Sequence, residues 1–593
     1  MKKNRIRNGL FIFLITIISF GFINVSVVSA SRNDIMEVDK IKVGMKGICK
    51  TVFNGYKVEN FDVEVIGIME NVFPRKNIIL VKCSGDRIKE SGIAAGMSGS
   101  PVYIDGKLVG ALAYSWGFPK EAIAGVTPIT DMLNVIHGSG DENPKVNSSG
   151  ILLKPLSGLL LVSGMDKLLL EELKKEMGKL EFMVQPIAGH GISGVAEKNP
   201  PKVEPGSAVG VSMVSGDLNV SAIGTLTFID GKNIFAFGHR MLNLGDTELP
   251  LTSAYIYGIF PSYEQSFKMG TTLEQIGKII FDKESGIAGE IGSFAKLIPL
   301  KVVLSDEGSK NPVTYNFSVI NNKLLSSKLI SIVVANSVAS FSKSIGENTI
   351  EVSMNVKIAS YPALKYKDMY YSPISPQMVV LQSLLPVLEM LANNDFSEIE
   401  FEKVETEISL SNARKVAEIQ EVFLSRSKVK PGETVNLNVI LRKFGFSSEK
   451  ITIPVEIPFD TPPGNISVIV CDAATSDMID SARVPREMGP GGISMQNMFF
   501  LKAKPVSLKH LIELMEKQEK NTNIIVKLFM PFRKGAYADG EEISSLPYTM
   551  FQIIKTSTNT KYKEMFDSIY TKIYNTDWVI TGSQRVNIMV DTE

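Results

Sequence analysis

Between residues 35 and 136 apolar and polar side chains alternate with a period of two, the pattern that turns one face of a strand to a core and the other to water. Phe61-Asp62-Val63-Glu64-Val65-Ile66 shows it clearly, and Ile78-Ile79-Leu80-Val81 is a short continuous apolar run. Two more apolar stretches flank the turn Asp105-Gly106-Lys107, and Ile123-Ala124-Gly125-Val126-Thr127-Pro128 follows. Short strands separated by turn residues at this spacing predict a β-barrel or sandwich over residues 31–137. Residues 138–150 are polar and rich in turn formers, with little to bury, and read as a linker.

The period changes at Asp166–Met177, where Leu168, Leu169, Leu173 and Met177 fall on one helical face and Gly178 supplies a stop. Strands then return: Ala222–Ile229 and Asn233–Phe237 flank the turn Asp230-Gly231-Lys232, and Val313–Ile320 and Leu329–Val334 extend the β region to about residue 375. Pro376–Leu391 reads as a helical connector interrupted at Pro386, within residues 376–396. Alternation around Lys430-Pro431-Gly432-Glu433 predicts an immunoglobulin-like β-sandwich over 397–490. A helix at Ser507–Glu516, capped by Ser507, opens a small α+β region over 491–593.

The chemistry enters at Gly96-Met97-Ser98-Gly99-Ser100-Pro101, which follows Gly92-Ile93-Ala94-Ala95 and runs directly into a strand. A Gly-x-Ser turn of this kind leaves the serine hydroxyl exposed while the N–H groups of the glycine and the serine converge on one point. Ser98 is then the candidate nucleophile, with Gly96 and Ser98 as oxyanion donors; the plain alternative is a tight turn between strands. The Gly-x-Ser-x-Gly elbow of α/β-hydrolases is excluded, because Ser100 stands where it needs glycine and a strand follows where it needs a helix. A serine hydroxyl requires a base, and histidine has the suitable pKa. Of the four histidines, His137 borders the linker, His190 lies in Gly189-His190-Gly191 and His510 sits on an amphipathic helix, whereas His239 ends an apolar strand just after Gly238, at the rim of a barrel.

The stretch from Phe61 to Leu133, with its Gly96–Pro101 turn, resembles the serine half of the SpoIVB-type peptidases of spore-forming bacteria, and Ile223-Gly224-Thr225-Leu226-Thr227-Phe228 through Gly238-His239 resembles their histidine half. The resemblance implies a trypsin-like double β-barrel with the two halves in permuted order, closing within one molecule or between two. It further implies Ser/His/Asp catalysis on a narrow, regulatory set of protein substrates, with Asp86 in Ser84-Gly85-Asp86-Arg87 as the acid and Asp246 as its rival. The segment Ala122–Pro128 would then pair, as an exposed strand edge, with an extended substrate peptide.

Length and composition narrow the partners. A chain of 593 residues implies several domains, and 63 Lys+Arg against 63 Asp+Glu gives no field that favours nucleic acid. Three cysteines, Cys49, Cys83 and Cys471, allow at most one bridge, with Cys49–Cys83 and three free thiols as the options. They form no Cys/His cluster, so neither a metal nor another cofactor is expected. Lys2, Lys3, Arg5 and Arg7 precede an apolar run from Gly9 to Val28 and the small-residue pattern Val28-Ser29-Ala30, which predicts a signal peptide over 1–30 and a secreted or envelope protein. Left uncleaved, the same run is long enough to anchor the chain in a membrane. The rivals to an exported endopeptidase are a catalytically silent envelope binding protein and a protein that chiefly cleaves itself.

Overall fold

The computed structural model describes residues 34–591 apart from 74–75, 117–119, 138–153, 157, 181, 188–201, 308–310, 342–345, 460, 484–504, 531–534, 539–540, 544–546, 557–561 and 566–567. The expected signal peptide, the linker at 138–150 and His190 lie outside the described residues. The fold is mainly β.

The strands expected early in the chain form as β1 (Lys46–Val52), β2 (Val58–Phe73) and β3 (Lys76–Ser84), followed after the short helix α1 (Asp86–Ser91) by β4 (Pro101–Ile104), β5 (Lys107–Ser115) and β6 (Ile123–Pro128). Asp105 and Gly106, at φ 50° and 74°, make the β4–β5 turn with two left-handed residues, as a tight hairpin needs. All neighbours pair antiparallel in the ring β1-β2-β3-β6-β5-β4-β1, which leaves none of the six with a free edge over its paired length. This overturns the exposed edge expected at Ala122–Pro128: β6 is buried from Ala124 to Pro128 and lies between β3 and β5. Helix α2 (Ile129–His137) follows, burying Ile129, Met132 and Val135.

After β7 (Lys154–Pro155), β8 (Gly158–Ser163), α3 (Lys167–Gly178) and β9 (Phe182–Pro186), a second set of six appears. These are β10 (Ala208–Gly216), β11 (Asn219–Asp230), β12 (Asn233–Ala236), β13 (Gly245–Phe260), β14 (Phe267–Lys283) and β15 (Gly286–Ile291). They close as β10-β11-β12-β15-β14-β13-β10, which is the strand order of the first ring repeated. Register shifts along β13 and β14 let these long strands bend round the barrel. In α3, Asp166 accepts from Leu168 N–H as the cap, and Leu169, Leu170, Leu173 and Met177 are buried. Leu168, expected on that face, is 51% exposed, because the cap fixes the first turn with Leu170 inward.

Five further strands extend the second sheet through the pairing of Val313–Ile320 with β10, and two helices, Ser326–Phe341 and Pro376–Ala392, pack into the same core. Leu329–Val334, expected as a strand, belongs to the first of these helices: a helix buried on all sides carries no polar face, so its apolar run has no period to read. The second helix runs through Pro386 without ending. Downstream, a sheet containing Val416–Leu424, Thr434–Lys443, Glu449–Glu456 and Val579–Thr581 faces one containing Gly464–Cys471, Asn523–Met530 and Ser583–Val590 over one core. This sandwich therefore takes strands from beyond residue 490, and the Ser507 hydroxyl caps helix Leu508–Glu516 as expected. The three cysteines are free and buried; β2 separates Cys49 from Cys83. Among the described residues no helix is long and apolar enough to cross a membrane.

Candidate functional site

Ser98 lies in the connection between the third and fourth strands of the first ring, and His239 in the same connection of the second. The serine turn exists because two of its residues are glycines: Gly96 and Gly99 sit at φ 90° and 93°, in the left-handed region where a side chain is strained. Gly99 also allows close approach, since a Cβ there would lie 2.0 Å from the Thr225 carbonyl oxygen and 2.5 Å from Phe237 N.

Thr225 of β11 joins the two segments. Its N–H donates to Ser98 O at 2.8 Å, while its carbonyl accepts from Phe237 N–H at 3.3 Å, two residues before His239. Thr227 Oγ1 adds a bond to Gly99 O at 2.7 Å. On the other side, Leu112 of β5 exchanges bonds with Gly99 N–H and Ser100 O, and Gly238 packs against Ala111 and Ala113 of that strand while its carbonyl accepts from Thr127 Oγ1 at 2.6 Å. The serine turn and the histidine turn thus rest on the same two strands, β5 and β11, and both residues are buried, Ser98 to 3% and His239 to 2% exposure.

Around Ser98 the backbone N–H groups divide into two sets. Those of Ala95, Met97, Gly99 and Ser100 donate to Ser266 O, Ala94 O, Leu112 O and Met97 O. Those of Gly96 and Ser98 have no acceptor among the described residues, although both residues are buried. Buried N–H groups are nearly always paired, so these two, on either side of Met97, stand apart from their neighbours in the serine turn.

His239 Nδ1 lies 2.6 Å from the Arg240 carbonyl oxygen. The acid expected from the sequence is elsewhere. Asp86 stands in the first turn of α1 with its side chain fully exposed, 3.7 Å from Lys89, and makes no bond with His239. An acid that orients an imidazole has to touch it in a desolvated setting, and Asp86 meets neither condition. Asp246 is exposed on β13, opposite Phe281.

Two buried ionisable residues of β14 escaped the sequence reading. Asp282 is 0% exposed and accepts from the N–H groups of Met241, Leu242 and Leu244 at 2.7, 2.7 and 3.3 Å, moulding the loop that follows His239; burial raises its pKa against the pull of those N–H groups. Beside it Arg240 pairs with Glu284 at 2.8 Å. The available signal was a carboxylate at the end of the apolar run Ile279-Ile280-Phe281. Lys268 lies beneath the serine turn, its Nζ 2.8 Å from Thr51 Oγ1 and 3.3 Å from Thr225 Oγ1.

Burial depresses the Lys268 ammonium from 10.5 to about 7, with Cys49 acting in the opposite sense. Between these two values the unfolded chain binds more protons, so this group's stabilisation is complete above 10.5 and lost once pH has fallen through about 7. The wild type should therefore gain stability relative to Lys268→Met from pH 7 to pH 9, by up to about 1.4 kcal/mol per pH unit. Parallel denaturant titrations of the two proteins check this, and curves that stay a constant distance apart contradict it.

The other two histidines stand at the end of α2 (His137) and on Leu508–Glu516 (His510). No group of three His, Cys, Asp or Glu side chains among the described residues could hold a metal ion. Residues 18–125 match the family of SpoIVB peptidases, S55, a span that includes Ser98 and ends before His239. No curated protein and no solved structure matches the chain.

Proposed function

We propose that the chain is an exported serine endopeptidase with a trypsin-like double barrel whose serine half precedes its histidine half. The observation that carries this reading is the pair of buried, acceptor-free N–H groups of Gly96 and Ser98, on a turn that Thr225 ties to the strand leading to His239. The repeated strand order of the two rings, with the two residues in equivalent connections, supports it. Ser98 Oγ attacks the peptide carbonyl and its proton passes to His239 Nε2, whose tautomer is set by the contact of Nδ1 with the Arg240 carbonyl. The oxyanion forms against Gly96 and Ser98 N–H; His239 returns the proton to the leaving amine, and water then releases the acyl group. A carbonyl orients an imidazole but brings no full negative charge to stabilise the imidazolium, so turnover is slow and suits a narrow, regulatory substrate range. The N-terminal apolar segment would direct export or, uncleaved, hold the protein at a membrane.

The exposed position of Asp86 favours a second reading, a catalytically silent envelope binding protein on the same scaffold. A fluorophosphonate probe separates the two. Labelling of the full-length wild type at Ser98 is expected, lost in Ser98→Ala and slowed by about 10²-fold or more in His239→Ala. A folded wild type that takes no label supports the binder, and fragments formed by the wild type but not by Ser98→Ala would mark self-cleavage.

A further inference from the structure

A trans peptide is planar, so its N–H points away from its C=O, and whatever holds the carbonyl aims the amide. The direction of Gly96 N–H is therefore set at the Ala95 carbonyl, and that of Ser98 N–H at the Met97 carbonyl. Ala95 O accepts from the backbone N–H of Lys268 at 2.9 Å. Met97 O accepts from Ser100 Oγ at 2.6 Å and from Ser100 N–H at 3.0 Å.

Behind Ser100 lies a closed polar cluster. Ser100, Thr51, Thr225 and Lys268 are all 0% exposed, and each hydroxyl has one proton to place. Ser100 Oγ directs its proton at Met97 O, 2.6 Å away, with Thr51 Oγ1 at 3.1 Å and Thr225 Oγ1 at 3.4 Å as its further acceptors. Thr225 Oγ1 gives its proton to Gly96 O at 3.1 Å. Lys268 Nζ, which carries at least two protons whether charged or neutral, donates to both threonines. Among the described residues the other titratable group facing Lys268 Nζ is the Cys49 thiol of β1, which burial keeps protonated. Ser100 Oγ is thus seated between the Met97 carbonyl and two threonine hydroxyls, both of which Lys268 Nζ holds from behind.

We propose that Lys268 and Ser100 are positioning residues of the oxyanion hole: Lys268 aims Gly96 N–H through its own backbone amide, and Ser98 N–H through the Thr51 and Thr225 hydroxyls that seat Ser100 against the Met97 carbonyl. The proposal rests on the reading of Ser98 as nucleophile. A hydrogen bond to the Met97 carbonyl also polarises the Met97–Ser98 amide, making its N–H a better donor as charge develops on the oxyanion.

The test is the rate of fluorophosphonate labelling of Ser98 in the full chain, resolved into the maximal rate and the probe concentration giving half of it, with thermal unfolding measured alongside. Deleting a whole oxyanion donor costs about 10²–10³-fold, so misaiming one should slow the maximal rate by about 10- to 100-fold in Ser100→Ala and in Lys268→Met, with the half-saturating concentration within about twofold. The double variant should be no slower than the slower single one, because both act through one chain of bonds. Thr225→Val, equal in shape but without the hydroxyl, should slow labelling about tenfold, and Thr225→Ser should restore it, a rescue that loss of packing alone would not produce. If Lys268→Met does not fold, Ser100→Ala and the Thr225 pair decide. Folded variants labelled within about threefold of the wild type, or changed only in half-saturation, overturn the proposal. A wild type that takes no label overturns the peptidase reading and this one together, whereas label on Ser98 in the wild type and unaltered rates in the variants overturn this one alone.

Discussion

Gly99→Ala should part the serine turn from the histidine strand and abolish labelling at Ser98. The new Cβ would sit 2.0 Å from Thr225 O and 2.5 Å from Phe237 N, both backbone atoms of paired strands that cannot swing aside as a side chain does. Moving them breaks the bond from Thr225 N–H to Ser98 O or that from Phe237 N–H to Thr225 O, the backbone bonds by which Thr225 joins the serine turn to the strand leading to His239. The left-handed φ of 93° adds a strain of about 1–2 kcal/mol for any residue with a Cβ. Overpacking adds about 1–3 kcal/mol, so the total loss of unfolding free energy is about 2–5 kcal/mol. Gly106→Ala is the control, because φ is 74° there and nothing lies within 4 Å of the added carbon, leaving the conformational cost alone. Denaturant unfolding of both variants checks the difference, and a Gly99→Ala protein as stable as Gly106→Ala would refute the close approach.

Asp282→Ala should unseat the loop carrying His239. The carboxylate is the acceptor for the N–H groups of Met241, Leu242 and Leu244, and alanine takes that acceptor away. A buried donor left unmade costs about 1–3 kcal/mol and the two part-buried ones less, so a loss of about 3 kcal/mol is expected, with Asp282→Asn intermediate because it keeps one acceptor oxygen. The Arg240–Glu284 pair is untouched but offers no acceptor to those three N–H groups, so it does not make up the loss. Amide exchange at residues 241–244 should rise sharply and labelling of Ser98 should fall by more than tenfold. Unchanged exchange in that loop would show that something other than Asp282 shapes it.

Much of the scaffold was legible because it follows from local rules. Asp105-Gly106 announces its hairpin through two left-handed residues, Ser507 announces a helix start through its hydroxyl, and the alternation around Phe61 announces a strand. Where the local pattern was uniform it misled: Leu329–Val334 is apolar throughout, which a buried helix and a buried strand share. The edge expected at Ala122–Pro128 failed for another reason. Whether a strand has a free edge is decided by its neighbours, here β3 and β5, and not by its own residues.

The same division holds in the site. Gly96, Ser98 and Gly99 could be picked out one by one, because a left-handed turn that exposes a serine needs those residue types in that order. His239 stood out as the histidine that ends an apolar strand after a glycine. Asp86 was reached only through the family resemblance, with Asp246 as its rival, and it stands in water beside Lys89, while Asp282 and Lys268 lie in a strand where their sequence context shows only polarity. Ring closure buries those two and aims Asp282 at the histidine loop and Lys268 at the threonines behind the serine turn. Turn chemistry and strand period were thus settled by neighbouring residues along the chain. Which charged groups lost their water, and which peptide groups they hold, was decided only when distant strands met, because desolvation is a property of everything packed around a group.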